Sequence, residues 1–167
     1  MAELDGRVVL VVGASGGLGS RLVAELAAAG ATVLSASRSS SASFDLRDPQ
    51  SIRDCVGALT ALDGVIVAAG VVAFGPAEQV SDTVLAELFE TNALGPITLI
   101  RELTPLLAES AAAGRTPFIV TLSGIVAESP TAGLAAYSAS KSALAAFVSA
   151  ASRELRRTGI RVLDARP

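Results

Sequence analysis

The stretch VVLVVGASGGLGSRLVAELAAAGATVL, residues 8–34, decides the fold of this chain. It begins with a short run of valine and leucine, the pattern of a strand that is buried on both faces. Gly13, Gly17 and Gly19 follow the run, and an alanine- and leucine-rich segment of helical period comes next. A second β-branched run closes the stretch. This order of strand, glycine loop, helix and strand predicts a βαβ unit with parallel strands.

The glycine loop has the spacing G-x-x-x-G-x-G. This spacing differs from the G-x-G-x-x-G dinucleotide fingerprint but supplies the same features: a tight turn, close backbone approach, and N–H groups at a helix N-terminus that favour a pyrophosphate. A purely structural turn is the alternative, because turns also collect glycine. The strand before the loop, the helix after it and the second strand at 32–36 favour a dinucleotide cofactor.

The rest of the chain repeats the alternation of β-branched runs with helical segments, which predicts a parallel sheet covered on both faces. Its 167 residues fit one domain, so we expect a single dinucleotide-binding domain over 1–167. One long helix is predicted over about 81–113, with a kink at Gly95 and Pro96. The serine-rich stretch 35–43 is interpreted as a surface turn. The predicted strands are 7–12, 32–36, 43–44, 65–69, 117–122 and 160–165.

The composition of the chain disfavours several classes of function. The chain is 51% hydrophobic and 17% charged, and its net charge of −3 disfavours nucleic acid as a partner. It has no histidine, and its one cysteine, Cys55, is interpreted as a small hydrophobic helix residue rather than a redox centre. The scarcity of these ligands disfavours a zinc or redox-metal site. Without a signal peptide or an apolar stretch of about 20 residues, we expect a cytoplasmic protein with no membrane span.

The residues after the second predicted strand bear on the choice between NAD and NADP. An acidic residue there would bond the ribose hydroxyls and repel a 2′-phosphate. This chain has Ser37 and Arg38 instead, with no acid until Asp45. Because a guanidinium pairs with phosphate through a planar set of donors, Arg38 favours NADP(H) over NAD(H). A solvated arginine in a serine-rich loop is the alternative.

Tyr137 and Lys141 stand four residues apart in YSASK, and a helix places both side chains on one face. A nearby ammonium favours the phenolate and lowers a phenol pKa of about 10, so that a tyrosine can donate or accept a proton near neutral pH. The spacing alone is weak evidence, because it is common by chance. Its combination with the glycine loop favours an active site.

Over nearly its full length the chain resembles the short-chain dehydrogenase/reductase family. The resemblance rests on GASGGLG (13–19), DLRD (45–48), FETNALG (89–95), YSASK (137–141) and GIRVLDARP (159–167). It implies a Rossmann-type doubly wound parallel sheet of strand order 3-2-1-4-5-6, and hydride transfer between a nicotinamide cofactor and a carbonyl or alcohol substrate. It also implies a homodimer or homotetramer, with the helix from Tyr137 onward as the interface.

The same resemblance implies a role for each residue that matches a family motif. Tyr137 would be the general acid/base, Lys141 would bind the nicotinamide ribose and tune the tyrosine, and Asn92 would hold a water of the proton relay. A serine would orient the substrate oxygen. Asp45 would bond the adenine amino group, and Gly70 would close the backbone turn beside the adenosine. The implied cofactor contacts are Gly13, Ser15, Gly16, Gly17, Leu18, Gly19, Arg38, Asp45, Leu46, Ala69, Gly70, Tyr137 and Lys141.

Two departures from the family pattern qualify these roles. Where many members have Asn-Asn-Ala-Gly, this chain has Val-Ala-Ala-Gly at 67–70, which keeps the backbone role and loses the asparagine bonds. The position 13 residues before the tyrosine, where many members have serine, is Gly124, and Ser123 precedes it. If the loop keeps its usual length, loss of the serine costs about 100-fold or more in rate. If the strand ends irregularly, Ser123 fills the position, and we favour this over a surface-turn serine.

Family members continue past the sixth strand with a substrate-covering segment and a seventh strand, and this sequence has neither. We therefore expect the 167 residues to be part of a longer product rather than a cofactor-binding remnant. The leading hypothesis is an oxidoreductase of CH–OH or C=O groups that prefers NADP(H). A catalytically impaired nucleotide-binding sensor or scaffold is the alternative from another class. An α/β domain without a ligand requires every motif to be accidental.

Overall fold

The computed structural model describes residues 4–38 and 44–167. Within that part of the chain, five strands form one sheet in the order β2-β1-β3-β4-β5, and every neighbouring pair is parallel. The strands are β1 (Val8–Val12), β2 (Thr32–Ala36), β3 (Gly64–Val67), β4 (Phe118–Leu122) and β5 (Arg161–Ala165). For these five strands the order expected from the sequence is confirmed.

The short strand predicted at 43–44 is the predicted strand that the structure does not contain among its described residues. Ser43 lies outside the described residues, and Phe44 belongs to no strand. The Phe44 side chain is buried in the core next to β1 and β2 residues, which explains the apolar signal at this position. The rest of the predicted serine-rich turn, 39–43, also lies outside the described residues.

Five α-helices cover the sheet in the described part of the chain, and short 3₁₀ turns lie at Ala77–Gln79, Ile125–Ala127 and Arg156–Thr158. Two helices begin at side-chain caps: Asp48 accepts a hydrogen bond from Gln50 N, and Ser81 accepts one from Val84 N. The helices are α1 (Gly17–Ala28), α2 (Pro49–Gly57), α3 (Asp82–Phe89), α4 (Gly95–Ala112) and α5 (Ala135–Leu155). None of the helices in the described ranges is long and apolar enough to cross a bilayer.

The long helix predicted over 81–113 is present, but a π-helical turn at Glu90–Leu94 joins α3 to α4. Pro96 has no N–H to donate to the carbonyl of Asn92, so the α-helical bonding pattern cannot continue across this point. Gly95 is required for a second reason, because a Cβ there would lie 2.3 Å from the Leu46 carbonyl oxygen. The predicted irregularity at Gly95 and Pro96 is therefore the end of a π turn.

The strands are buried on both faces, as their continuous apolar runs predict. Leu10 and Val12 of β1 contribute to the larger core cluster, which includes residues of α2, α4 and α5. Val9 and Val11 of the same strand point to the opposite face and join Leu26 of α1. Alternate residues of one strand thus hold helices on both sides of the sheet.

Asp63, which immediately precedes β3, ties the amino-terminal edge of the sheet together. Its buried carboxylate accepts hydrogen bonds from Val8 N at 2.9 Å and Ser110 Oγ at 2.7 Å, and it pairs with the Arg115 guanidinium. Burial alone would raise the pKa of Asp63, but these hydrogen bonds and the positive charge outweigh it and hold the pKa below its usual value. Nothing in the local sequence around Asp63 predicted this cluster.

Candidate active site

The candidate site lies at the carboxyl edge of the sheet, where β1 has β2 on one side and β3 on the other. Chain connections diverge at this point, and parallel α/β sheets bind ligands in the crevice that results. The loop after β1 is packed tightly there: Gly13 has φ +83°, and a Cβ on it would come 2.6 Å from Ala69 N. A Cβ on Gly19 would come 2.1 Å from Gly13 O. Only glycine fits these two positions.

The N-terminus of α1 opens next to this loop. The helix begins at Gly17, its N-cap residue Gly16 makes no side-chain cap, and its first turn contains no acid. A Cβ on Gly17 would meet no heavy atom within 4 Å, and the Leu18 side chain is about half exposed. Uncapped N–H groups at a helix N-terminus attract an anion through hydrogen bonds and the helix dipole. The structure therefore offers an anion site at the position where the sequence predicted a pyrophosphate.

A cleft runs from this helix end across the carboxyl edge of the sheet. Of the predicted cofactor contacts, it is lined by Gly13, Ser15, Gly16, Arg38, Asp45, Leu46, Ala69 and Gly70. Gly17 and Leu18 lie at the exposed start of α1, and Gly19 is buried beneath the loop. The cleft is also lined by residues that were not predicted as cofactor contacts, among them Arg47, Val71, Glu87 and Thr91. Arg47 and Thr91 stand inside the quoted motifs DLRD and FETNALG, which is the signal that pointed to them.

Asp45 and Arg47 form an ion pair in this cleft. Arg47 donates from its backbone N to Asp45 Oδ1 at 2.9 Å and from Nη2 to Asp45 Oδ2 at 2.7 Å. The hydrogen bond from the Arg47 side chain is the main reason that the pKa of Asp45 lies below its usual value. A ligand amino group that bonds Asp45 would therefore share this carboxylate with Arg47, or displace it.

Asn92 is fully buried in the π turn, and the hydrogen bonds of its side chain join three parts of the fold. Its Oδ1 accepts from Val71 N at 2.9 Å, and its Nδ2 donates to Val71 O at 2.8 Å. The same Nδ2 donates to Ser140 Oγ on α5 at 3.0 Å. The side chain thus fixes the loop after β3 against α5. The water-holding role of Asn92 remains a prediction.

Tyr137 and Lys141 lie on one face of α5, and Lys141 Nζ is 6.0 Å from the centroid of the Tyr137 ring. Lys141 is almost completely buried, and its Nζ donates to Leu122 O at 2.8 Å. Burial lowers the pKa of Lys141, and the negative charge of Asp164 partly opposes this. A Cβ on Gly70 would come 3.1 Å from Lys141 Nζ, so the lysine lies directly behind this part of the cleft wall, although neither Tyr137 nor Lys141 lines the cleft itself.

The structure differs from the expected effect on the tyrosine. Burial raises the pKa of Tyr137, whereas the Tyr-x-x-x-Lys spacing predicted that the neighbouring ammonium would lower it. Burial is the cause of the raised value, and the ammonium, 6.0 Å from the ring centroid, donates its hydrogen bond to Leu122 O. The proximity of the two residues is as predicted, and the electrostatic effect is not.

Ser123 and Gly124 follow β4, and the serine hydroxyl is directed to Asp164. Ser123 is fully buried, and its Oγ donates to Asp164 Oδ2 at 2.6 Å. Gly124 has φ +80° and ψ 162°, a backbone region that only glycine adopts readily. The strand therefore does end irregularly, but the irregularity leaves Ser123 bonded to Asp164. A catalytic role for Ser123 stays a prediction.

Comparison with known proteins agrees with this geometry. A family model described as short chain dehydrogenase matches residues 7–167, and the chain belongs to that family. No curated protein matches the sequence significantly. The membership supports an oxidoreductase with a nicotinamide cofactor, and it confirms the Rossmann-type fold expected from the sequence.

Solved structures show the same fold. A 3-ketoacyl-(acyl-carrier-protein) reductase from Brucella melitensis, complexed with NADH, is 24% identical with a TM-score of 0.91; the alignment covers 98% of this chain and 76% of that one. A short-chain dehydrogenase from Streptomyces avermitilis is 28% identical with a TM-score of 0.89, and the coverages are 98% and 66%. A metagenomic short-chain oxidoreductase in complex with NADP is 28% identical with a TM-score of 0.90, and the coverages are 99% and 84%.

Proposed function

We propose that this protein is an NADP(H)-preferring oxidoreductase that transfers a hydride between the nicotinamide cofactor and a carbonyl or alcohol carbon of a small substrate. One observation carries the proposal. Gly70 lines the cleft that begins at the uncapped end of α1, and it also lies against Lys141. Gly70 therefore stands between the cleft that begins at the anion site and the Lys141 ammonium of the Tyr137–Lys141 pair, which places the proton donor beside the path that a bound dinucleotide would follow.

The residues of the cleft fit a dinucleotide. The α1 N-terminus and the Ser15–Gly16 backbone would hold the pyrophosphate, and Asp45 and Leu46 would contact the adenine. A nicotinamide, when bound, supplies the site that accepts or donates the hydride. Tyr137 would give a proton from its Oη to the substrate oxygen, or take one from it. Lys141 would place a positive charge beside the ribose and the tyrosine.

The preference for NADP(H) rests on Arg38. This arginine lines the cleft just beyond the end of β2. Among the described residues, the first acid after β2 in the sequence is Asp45. Asp45, an acid in the same cleft, is already paired with Arg47. The Arg38 charge also contributes to the lowered pKa of Asp45, but the hydrogen bonds of that carboxylate go to Arg47, so the Arg38 guanidinium would be able to pair with a 2′-phosphate.

The test is NADPH oxidation, followed at 340 nm, against a panel of aldehydes, ketones and β-keto esters. Tyr137→Phe should lower turnover by about 100-fold or more, because it removes the proton donor. It should leave stabilisation by NADPH in a thermal melt nearly unchanged. Ser149→Ala, at an exposed position of the same helix, is the matched control and should retain full turnover. Turnover by the tyrosine variant equal to that of the wild type would reject the assignment.

A second candidate function has its own observation. Gly124 occupies the position where many family members have serine, and the Ser123 hydroxyl is bonded to Asp164. This arrangement favours a nucleotide-binding sensor or scaffold in which catalysis is impaired. Stabilisation by NADPH without turnover on any member of the carbonyl panel would support this candidate, whereas measurable turnover would exclude it.

A further inference from the structure

One peptide group, between Leu122 and Ser123, links two charged side chains. Its carbonyl oxygen accepts from Lys141 Nζ at 2.8 Å, and its N–H donates to Asp164 Oδ1 at 3.2 Å. A trans peptide is planar, with its C=O and N–H pointing in opposite directions. The ammonium and the carboxylate therefore hold the same rigid unit from its two sides, and each orients the dipole that the other contacts.

The Asp164 carboxylate is fixed at this position by further donors. Thr121 Oγ1 donates to its Oδ1 at 2.9 Å, and Ser123 Oγ donates to its Oδ2 at 2.6 Å. Arg166 Nε also donates to Oδ2, at 2.9 Å, and the Asp164 side chain is only 9% exposed. An ionised carboxylate, which is an acceptor only, matches such a set of donors. Its negative charge is thus built into the end of β5 next to β4.

We propose that Asp164 is a positioning residue for the Tyr137–Lys141 pair: through the Leu122–Ser123 peptide it holds the Lys141 ammonium in place and charged. The proposal rests on the proposed function, because it assigns Asp164 to the same site. Asp164 is not among the residues that line the cleft, and its charge acts on Lys141, so its effect on the site passes through the lysine.

The charged surroundings of the lysine support this reading. Tyr137 faces Lys141 from its own helix, and Asp164 is the carboxylate whose charge acts on it from β5. Arg166 pairs with Asp164 and also with Glu128, so the arginine charge is shared between two acids. Without the Asp164 charge, burial would act on the Lys141 pKa unopposed.

The composition of the chain allows the ionisation of Lys141 and of Tyr137 to be measured directly. Its sequence contains one lysine and one tyrosine, Lys141 and Tyr137. Protein labelled with ¹⁵N-lysine therefore gives a single side-chain nitrogen signal, and tyrosinate absorbance at 295 nm reports one phenol. Both groups can be titrated in the full chain without cofactor and without turnover.

The experiment titrates both signals in the wild type, in Asp164→Asn and in Thr121→Val. The asparagine variant keeps the size and an acceptor oxygen but removes the charge, and the Lys141 midpoint should fall by about one pH unit. The valine variant removes one donor to Asp164 and keeps the charge, so it is the matched control and should leave the midpoint in place. An unchanged Lys141 midpoint in Asp164→Asn would overturn the proposal.

The role of Asp164 can be tested separately from misfolding of the variant and from failure of the proposed function. If Asp164→Asn does not fold, Asp164→Thr, a second neutral side chain suited to a strand, takes its place with the same expectation. If the wild type shows no turnover, the proposed function fails while the titration still decides the role of Asp164. If it does turn over, the alkaline limb of kcat should move to lower pH in the neutral variant, and an unmoved limb would count against the positioning role.

Discussion

Gly13 and Ala69 meet backbone to backbone: a Cβ on Gly13 would lie 2.6 Å from the Ala69 nitrogen. This contact joins the loop after β1 to the loop after β3, which form two walls of the candidate cofactor cleft. Gly17, four residues further on, has open space where a Cβ would stand. The two glycines therefore serve different purposes, one for the fold and one for the approach of a ligand.

Gly13→Ala and Gly17→Ala should separate these purposes. At Gly13 the added methyl clashes with backbone and the φ of +83° is unfavourable, so we expect a loss of stability of about 2–3 kcal/mol or failure to fold. At Gly17 the methyl lies in a helix with free space, and the melting temperature should not fall. NADPH affinity of the Gly17 variant should nevertheless fall about tenfold, as measured by quenching or enhancement of nucleotide fluorescence. Unchanged affinity would mean that no ligand approaches this helix end.

Arg38→Ala should weaken NADPH binding by about 10- to 100-fold, because one charge-assisted hydrogen-bonding partner of the 2′-phosphate is lost. NADH binding should change little, since NADH has no phosphate there. Arg53→Ala, which removes an exposed arginine on α2, is the control for a general loss of positive charge. Isothermal titration with both nucleotides gives the comparison. Equal losses for NADPH and NADH would contradict the NADP(H) preference.

Much of the fold could be predicted because its signals are local. The β-branched runs predicted four of the five strands to within one residue at each end, and β3 ends two residues before its predicted end. The glycine loop and the Tyr137–Lys141 spacing are also local, and the structure brings them to one edge of the sheet. The π turn could not be read from a 3.6-residue period, although Pro96 indicated an irregularity there.

The hydrogen bonds that could not be predicted from the sequence join residues that are far apart in the chain. Ser123 and Asp164 are separated by 41 positions, and only the parallel pairing of β4 with β5 brings them together. Asp63 meets Ser110 and Val8 across similar distances. The Asp45–Arg47 pair is different: its partners are two residues apart, and the motif that contains both was already selected.

Gly124→Ser tests whether the missing hydroxyl limits catalysis. Gly124→Ala is its matched control, because both variants place a Cβ in a Gly-only backbone region and should lose about 1–3 kcal/mol of stability. The nearest heavy atoms to that Cβ are 3.9 Å away, so space is available for the side chain. If the hydroxyl reaches the substrate oxygen, turnover of the serine variant should exceed that of the alanine variant by about 100-fold. Equal turnover would show that the loop does not present this position to substrate.

Asp63→Asn should make stability less sensitive to acid. The pKa of Asp63 is depressed in the folded state, so its contribution is present at neutral pH and is lost as pH falls through the folded-state pKa, below about 4. We expect a loss of about 2 kcal/mol at pH 7 from the weakened bonds to buried donors, and a shrinking difference from wild type below pH 4. Urea unfolding at several pH values measures both. Asp54→Asn, at an exposed position of α2, should show neither effect.

The π turn at Glu90–Leu94 changes which faces of the continuous helix α3–α4 point to the cleft and to the core. One extra residue in a turn advances the winding by about 100°, so the wheels of α3 and α4 are out of phase. With this phase shift, Glu87 of α3 lines the candidate cofactor cleft while Leu99 and Leu103 of α4 lie in the core. Deleting a single residue from this turn would restore one phase and rotate Asn92 off Val71. The packing of α3 and α4 therefore depends on the number of residues in the π turn as much as on their identity.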